Sequence, residues 1–160
     1  MLVNSSNPNS ARQIKEAQEA AQILGQQLVV VSVPGDSDLK VAFSTIVDKH
    51  AKGLLVNADP VFNSRRTEIA TLTIQHSLPA VFEWREFVAA GGLMSFGTSI
   101  ADAYQQAGVY TGRILKGASP AELPVAEPTK FELVINLKAA KALGVSFSPE
   151  LLARADDVLQ

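Results

Sequence analysis

The stretch GLLVNADPVFNSRRTEIATLTIQHSLPAVFEW, residues 53–84, holds a strand, a helix and a second strand in that order. Leu54, Leu55 and Val56 form an apolar run without polar alternation, the pattern of a strand buried inside a parallel sheet. Asn57, Ala58, Asp59 and Pro60 end it. A proline disfavours helical geometry in the residue before it, so Asp59 is left at the rim. Asn63 or Ser64 can cap a helix that runs to His76, and Leu78 to Trp84 supply the next apolar strand. Strands joined by a helix rather than by a tight turn lie parallel to each other.

The same alternation extends both ways from this unit. Upstream, LVNSSNP opens as a strand and NSARQIKEAQEAAQILG continues as a helix, with Ile14, Ala17, Ala21 and Leu24 on one stripe. Gly25 stands where a terminating glycine belongs. QLVVVSV is a second buried strand, and SDLKVAFSTIVDKH a helix that Ser37 or Asp38 can cap. Downstream, REFVAAGG is a short helical turn, LMSFG a fifth strand, and SIADAYQQAGVYTGRILKG a long helix capped by Thr98 or Ser99. ASPAELPVAEPT is an extended, proline-rich connector, and KFELVINL a late strand. KAAKALGVSFSPELLARADDVLQ gives one helix, a break at Gly144 and a last short helix. The fold class that follows is α/β: three layers, α/β/α, around a mostly parallel sheet. Residues 1–97 are expected to form one α/β ligand-binding lobe. Residues 98–160 are expected to add the long helix, connector, return strand and terminal helices, which complete that lobe or pack on a further lobe or a partner chain.

Bulk properties remove several functions. A chain of 160 residues, 47% hydrophobic and 19% charged, folds around a full core. Its net charge of −2 offers nothing to nucleic acid. The absence of cysteine excludes disulfides, thiolate metal sites and thiol catalysis. The first ten residues have neither a basic region nor an apolar core, so they do not read as a signal peptide. No apolar run approaches the roughly 20 residues that cross a bilayer.

In open parallel sheets, ligands bind beyond the carboxyl ends of the strands. Three such ends here are polar. Asn9 and Ser10 open a helix whose free N–H groups suit a carboxylate or phosphate, or they serve only as its cap. Asn57 and Asp59 follow the third strand. Asp59 can accept from an ammonium or hydroxyl, with Phe62 as an apolar wall, or it can close an Asx-turn on its own backbone. Glu83 and Trp84 end the fourth strand, where the indole is either a recognition platform or a rim ring packed under the next loop. Phe96 lies in LMSFG, with Gly91, Gly92 and Gly97 around it, a pattern suited to a chain crossing a crevice. Arg65 and Arg66 read as solvated first-turn residues.

Catalytic patterns are missing. Ser95 has no G-x-S-x-G elbow and no histidine after it. His50 and His76 fall at helix C-termini, where a cation is favoured. No phosphate loop, dinucleotide fingerprint or metal-ligand spacing occurs, so no cofactor, no metal and no enzymatic activity are expected.

NADPVFNSRR, REFVAAGGLMSFGTSIADAYQQAGVYTGRILKG and LPVAEPTKFELVINLKAAKALG closely resemble the substrate-binding proteins of a class of bacterial ABC importers, which have the type I periplasmic-binding fold. The last phrase is the most specific, and the likeness covers essentially the whole chain. The resemblance implies two flavodoxin-like lobes joined by crossing strands, with a solute held between them. Leu2 to Trp84 then correspond to the second lobe, LMSFG crosses back, the helix Ser99 to Leu115 packs on the other lobe, and FELVINL returns. It further implies a small organic solute such as an amino acid, a membrane permease as partner of the full-length form, and a periplasmic or cell-envelope location. Asp59 and Phe62 become half of a clamp, with Asn9, Ser10, Trp84 and Phe96 in neighbouring loops. The chain is expected to be a truncated form lacking the first lobe, and to pair as a homodimer through the Ser99–Leu115 helix. Two other readings share the fold class: the sensor lobe of a transcription regulator, and a small flavodoxin-like enzyme.

Overall fold

The computed structural model describes residues 1–34, 38–126 and 130–160. Ser37, one of two candidate helix caps, and Pro128 and Thr129 of the connector lie outside them. Strand β1 (Leu2–Asn4) pairs in parallel with β2 (Val31–Val33). A bridge from Leu2 to Val56, with the Asn57 N–H donating to the Leu2 carbonyl at 3.0 Å, joins β1 to β3 (Leu54–Leu55). From there β4 (Ala80–Phe82) and β5 (Met94–Thr98) continue in parallel. β6 (Phe131–Asn136) lies antiparallel to β5, with Met94 opposite Ile135 and Thr98 opposite Phe131. β7 (Asp157–Leu159) then pairs in parallel with β6. Across the sheet the order is β2-β1-β3-β4-β5-β6-β7, mostly parallel with one reversed neighbour. The α/β fold class expected from sequence is the one observed.

Helix α1 (Ser10–Ile23) ends at Gly25, whose φ of +64° is left-handed. That conformation is open to glycine and strained for most side chains. α2 (Leu39–Asp48) is capped by Asp38, which accepts from the Lys40 N–H at 2.9 Å. The single helix expected from Asn63 or Ser64 instead begins earlier and is broken: α3 (Pro60–Ser64), then α4 (Arg66–Gln75). Asp59 is the true cap, and Pro60 occupies the first helical position, where its missing N–H costs nothing. α5 (Arg85–Ala89) follows β4. Leu2, Leu39, Phe43, Phe62, Ile69 and Phe82 form the centre of the main core. A smaller cluster joins Leu93 to Ala139 and Ala140 of α7 (Leu137–Leu143).

The C-terminal part contains one element that the sequence pattern missed. After α8 (Pro149–Ala153) the chain forms β7 rather than ending on a helix. Its three residues are too few for a period of two to show. The strand is set by tertiary bonds: the Leu133 N–H donates to Asp156 Oδ2 at 2.9 Å, and Arg85 bridges Asp157 at 2.6 Å and Glu132 at 3.6 Å. Residues 131–160 therefore extend the lobe's sheet.

Helix α6 (Ile100–Leu115) does not. Ser99 caps it by accepting from the Asp102 N–H at 3.1 Å, yet none of its residues is buried. Tyr104 is 76% exposed and Leu115 82%. Among the described residues its side-chain tie beyond the helix runs from the Tyr110 hydroxyl to the Pro124 carbonyl at 2.6 Å, within the same excursion. A 16-residue amphipathic helix obtains most of its stability from packing its apolar face, and within the described residues this face is left exposed.

Candidate functional site

Order 2-1-3-4-5 places the switch in winding direction between β1 and β3, the position where open α/β sheets take their ligands. Two loops meet there. In the first, after β1, Asn4 turns its amide back into the protein. In the second, after β3, Asp59 is 2% exposed. Its Oδ1 accepts from the N–H groups of Val61 at 2.8 Å and Phe62 at 3.3 Å. Its Oδ2 accepts from Asn7 Nδ2 at 2.8 Å and Asn4 Nδ2 at 3.1 Å. A buried carboxyl must be satisfied in this way, because burial without hydrogen bonds costs several kcal/mol.

The arrangement corrects two expectations. Asp59 does not face a guest; it caps α3 and clasps the β1 loop, and no free lone pair is left for an ammonium. Phe62 is wholly buried in the main core and presents no wall to a cleft. Asn4 and Asn7, the partners that make this clasp, were not singled out from sequence. Their signal was present, since both sit in the polar run NSSNPNS, which begins at the last residue of β1.

The remaining candidates separate into two groups. Asn9 is exposed and stands at the cap position of α1, but its side chain makes no capping bond there. Its own N–H is bonded by Asn7 Oδ1 at 2.9 Å. Ser10 is buried and donates to the Asn4 carbonyl at 2.6 Å, which fixes the loop to the strand. Trp84 is half-buried against the main core at the start of α5. These residues build the rim.

Asn57, Glu83 and Phe96 come together in one recess of about 330 Å³ at the carboxyl ends of β3, β4 and β5. Leu55, Val81 and Phe131 are among its apolar lining. Phe131, which the sequence reading did not select, stacks on Phe96 with ring centroids 5.8 Å apart. The rings are 54% and 58% exposed respectively. Gly97 explains how Glu83 fits: a Cβ there would collide with the Glu83 carbonyl and side chain, so only glycine lets β5 lie this close. Desolvation pushes the Glu83 carboxyl above the usual glutamate range. Asn57 Nδ2 is held by Gln13 Oε1 at 2.7 Å, which anchors α1 to the end of β3.

A larger recess of about 660 Å³ lies at the other end of β6, between α5, α7 and Leu159. It is lined mainly by alanine and aliphatic side chains, with Asn136, Lys138 and Gln160 as its polar residues. The smaller recess is the better candidate, since it sits at the strand ends and carries converging polar and aromatic groups. Ser95 is buried on β5 and faces away from it, with its Oγ unpaired. Arg65 pairs with Glu68 at 3.0 Å and Arg66 with the Asn63 carbonyl at 3.0 Å. His76 caps α4 and stacks on Phe43, and His50 follows α2. Among the described residues no group of three or more acidic, histidine or cysteine side chains could hold a metal ion.

Comparison with known proteins gives one consistent family. The model for ABC transporter substrate binding proteins matches residues 1–159. A tyrosine-binding protein of Clostridioides difficile is 24% identical over 143 residues, which is 89% of this chain and 41% of that protein. A Streptococcus pneumoniae ABC domain solved in complex with L-Trp aligns with a TM-score of 0.89 at 26% identity, over 99% of this chain and 53% of that one. A conserved domain protein of Vibrio cholerae gives a TM-score of 0.86 at 25% identity, over 98% and 53% of the two chains. This chain thus spans about half the length of the proteins it matches.

The clasp at Asp59 generates the first prediction. Replacing Asp59 by Ala strips the cap from α3 and strands the buried Asn4 amide, so it lowers stability by about 2–4 kcal/mol in chemical denaturation. A change below roughly 0.5 kcal/mol, the scale of an ordinary surface substitution, would contradict this role.

Proposed function

Because the chain belongs to the ABC transporter substrate-binding protein family, we propose that it forms one jaw of a solute clamp in a bacterial importer. It holds a small, amino-acid-like molecule at the crown of β3, β4 and β5, changes nothing in it, and serves a membrane permease from the periplasm or cell envelope. The observation that carries this reading is the recess itself: Asn57 and Glu83 beside the exposed Phe96–Phe131 pair. Relatives described as tyrosine-binding and as bound to L-Trp support an aromatic amino acid as the class of solute. Among the described residues no helix is long and apolar enough to cross a membrane.

A drug-sized ligand in a typical site loses 70–90% of its surface to the protein. A recess at one sheet edge covers a single side, so the opposite side comes from a second α/β lobe, carried on the same face that α6 presents. Supply of that lobe raises affinity without altering chemistry. Calorimetric titration with L-tyrosine and L-tryptophan tests this on the 160-residue chain and on a form joined to a complementary lobe. Binding is expected to be at least about tenfold tighter in the joined form, the equivalent of roughly 1.4 kcal/mol of added contact. Turnover of the solute, or equal affinity in both forms, would overturn the proposal.

The uncovered face of α6 has a second consequence. With no lobe over it, the 160-residue chain pairs with another copy through this helix, a low-cost route to association. Light scattering at tens of micromolar is expected to give about twice the chain mass of 17.0 kDa. A monomer there would contradict the pairing.

A further inference from the structure

The recess has a chemical polarity. Its lining includes one carboxyl, Glu83, and no lysine, arginine or histidine. No donor among the described residues bonds that carboxyl. The neighbouring cation, Arg85, is directed instead to Asp157 and Glu132. Asn57 spends one of its two amide hydrogens on Gln13, and its carbonyl oxygen adds an acceptor beside Glu83. Beside these acceptors lie the Phe96 and Phe131 rings, whose faces carry partial negative charge. The one charged group of the recess therefore favours a donor or a cation, and an anion would meet a carboxyl with no cationic side chain in the lining to offset it.

Resting on the solute-binding reading above, we infer that this lobe reads the cationic end of the solute: an ammonium seats on Glu83 and Asn57 while the apolar body lies along Phe96 and Phe131. A carboxylate on the same solute is left for the opposite jaw. The division of labour follows from the lining. A charge-assisted bond to Glu83 is among the stronger single contacts a small site can make, and an ammonium near an aromatic face adds to it. Gly97 makes the arrangement rigid, because the close approach of β5 to Glu83 fixes where that carboxyl starts.

The test uses three size-matched probes on the 160-residue chain, followed by ligand-observed NMR: 2-phenylethylamine, 2-phenylethanol and 3-phenylpropionate, with L-tyrosine as a reference solute. The amine is expected to bind about tenfold more tightly than the carboxylate, with the alcohol between them. In Glu83→Gln that preference falls to less than about twofold, the remainder of a neutral hydrogen bond. Phe131→Ala weakens all three probes together and leaves their order unchanged, which separates the apolar platform from the charge reading. A carboxylate that binds as well as the amine, or a Glu83→Gln variant that keeps the full preference, would overturn the inference while leaving the solute site intact. Failure of every probe and of L-tyrosine to bind would overturn the site as well.

Discussion

Four hydrogen bonds converge on the carboxyl of Asp59, and the functional face of the lobe depends on them. Two come from the first turn of α3 and two from the loop after β1. The carboxyl thus joins strand ends that are neighbours in space but more than fifty positions apart in the chain. Without that tie, the β1 and β3 loops would be connected chiefly by a single bridge between Leu2 and Val56. With it, they form one platform at the point where the sheet changes its winding direction. A buried acid whose acceptors are all engaged rigidifies what surrounds it, because each partner would lose its bond if the loops separated.

The recess is then a consequence of neighbouring geometry. Just past β3, Asn57 is held by Gln13 of α1. Just past β4, Glu83 is pressed against Gly97 of β5. The antiparallel turn-back of β6 sets Phe131 against Phe96. Arg85 ties the start of α5 to β6 and β7 through Glu132 and Asp157. Binding proteins of this kind gain from such preorganisation, since a site ordered beforehand loses less entropy when the solute arrives. What the lobe leaves open is equally informative. α6 leaves the sheet at Thr98, carries an exposed apolar face and returns at Phe131, so the site and the unpartnered helix flank the same pair of strands.

Much of this was legible in the residues. Apolar strand runs without alternation, joined by helices, gave the parallel sheet. The polar strand ends pointed to a candidate site, and Asn57, Glu83 and Phe96 line one recess at the ends of β3, β4 and β5. The roles of Asp59 and Phe62 were not legible, because sequence places a residue at a strand end without saying whether it faces the cleft or the core. Asp59 followed by Pro60 fits both an Asx-turn and a ligand contact; only the position of Asn4 and Asn7 decides. Phe131 and β7 were missed for a related reason. Each takes its place from a strand distant in the chain, and a three-residue strand has no period of its own to read.

Amide hydrogen exchange on the intact chain tests the Asp59 clasp most directly. The account predicts that the N–H groups of Val61 and Phe62, together with Ser6 and Asn9, exchange with protection close to that of the core strands β1 and β4, since they belong to the same cooperative unit. Exchange of these four amides at rates typical of frayed loops, while β1 and β4 stay protected, would show that the loops are not held together and would contradict the claim on which the rest stands.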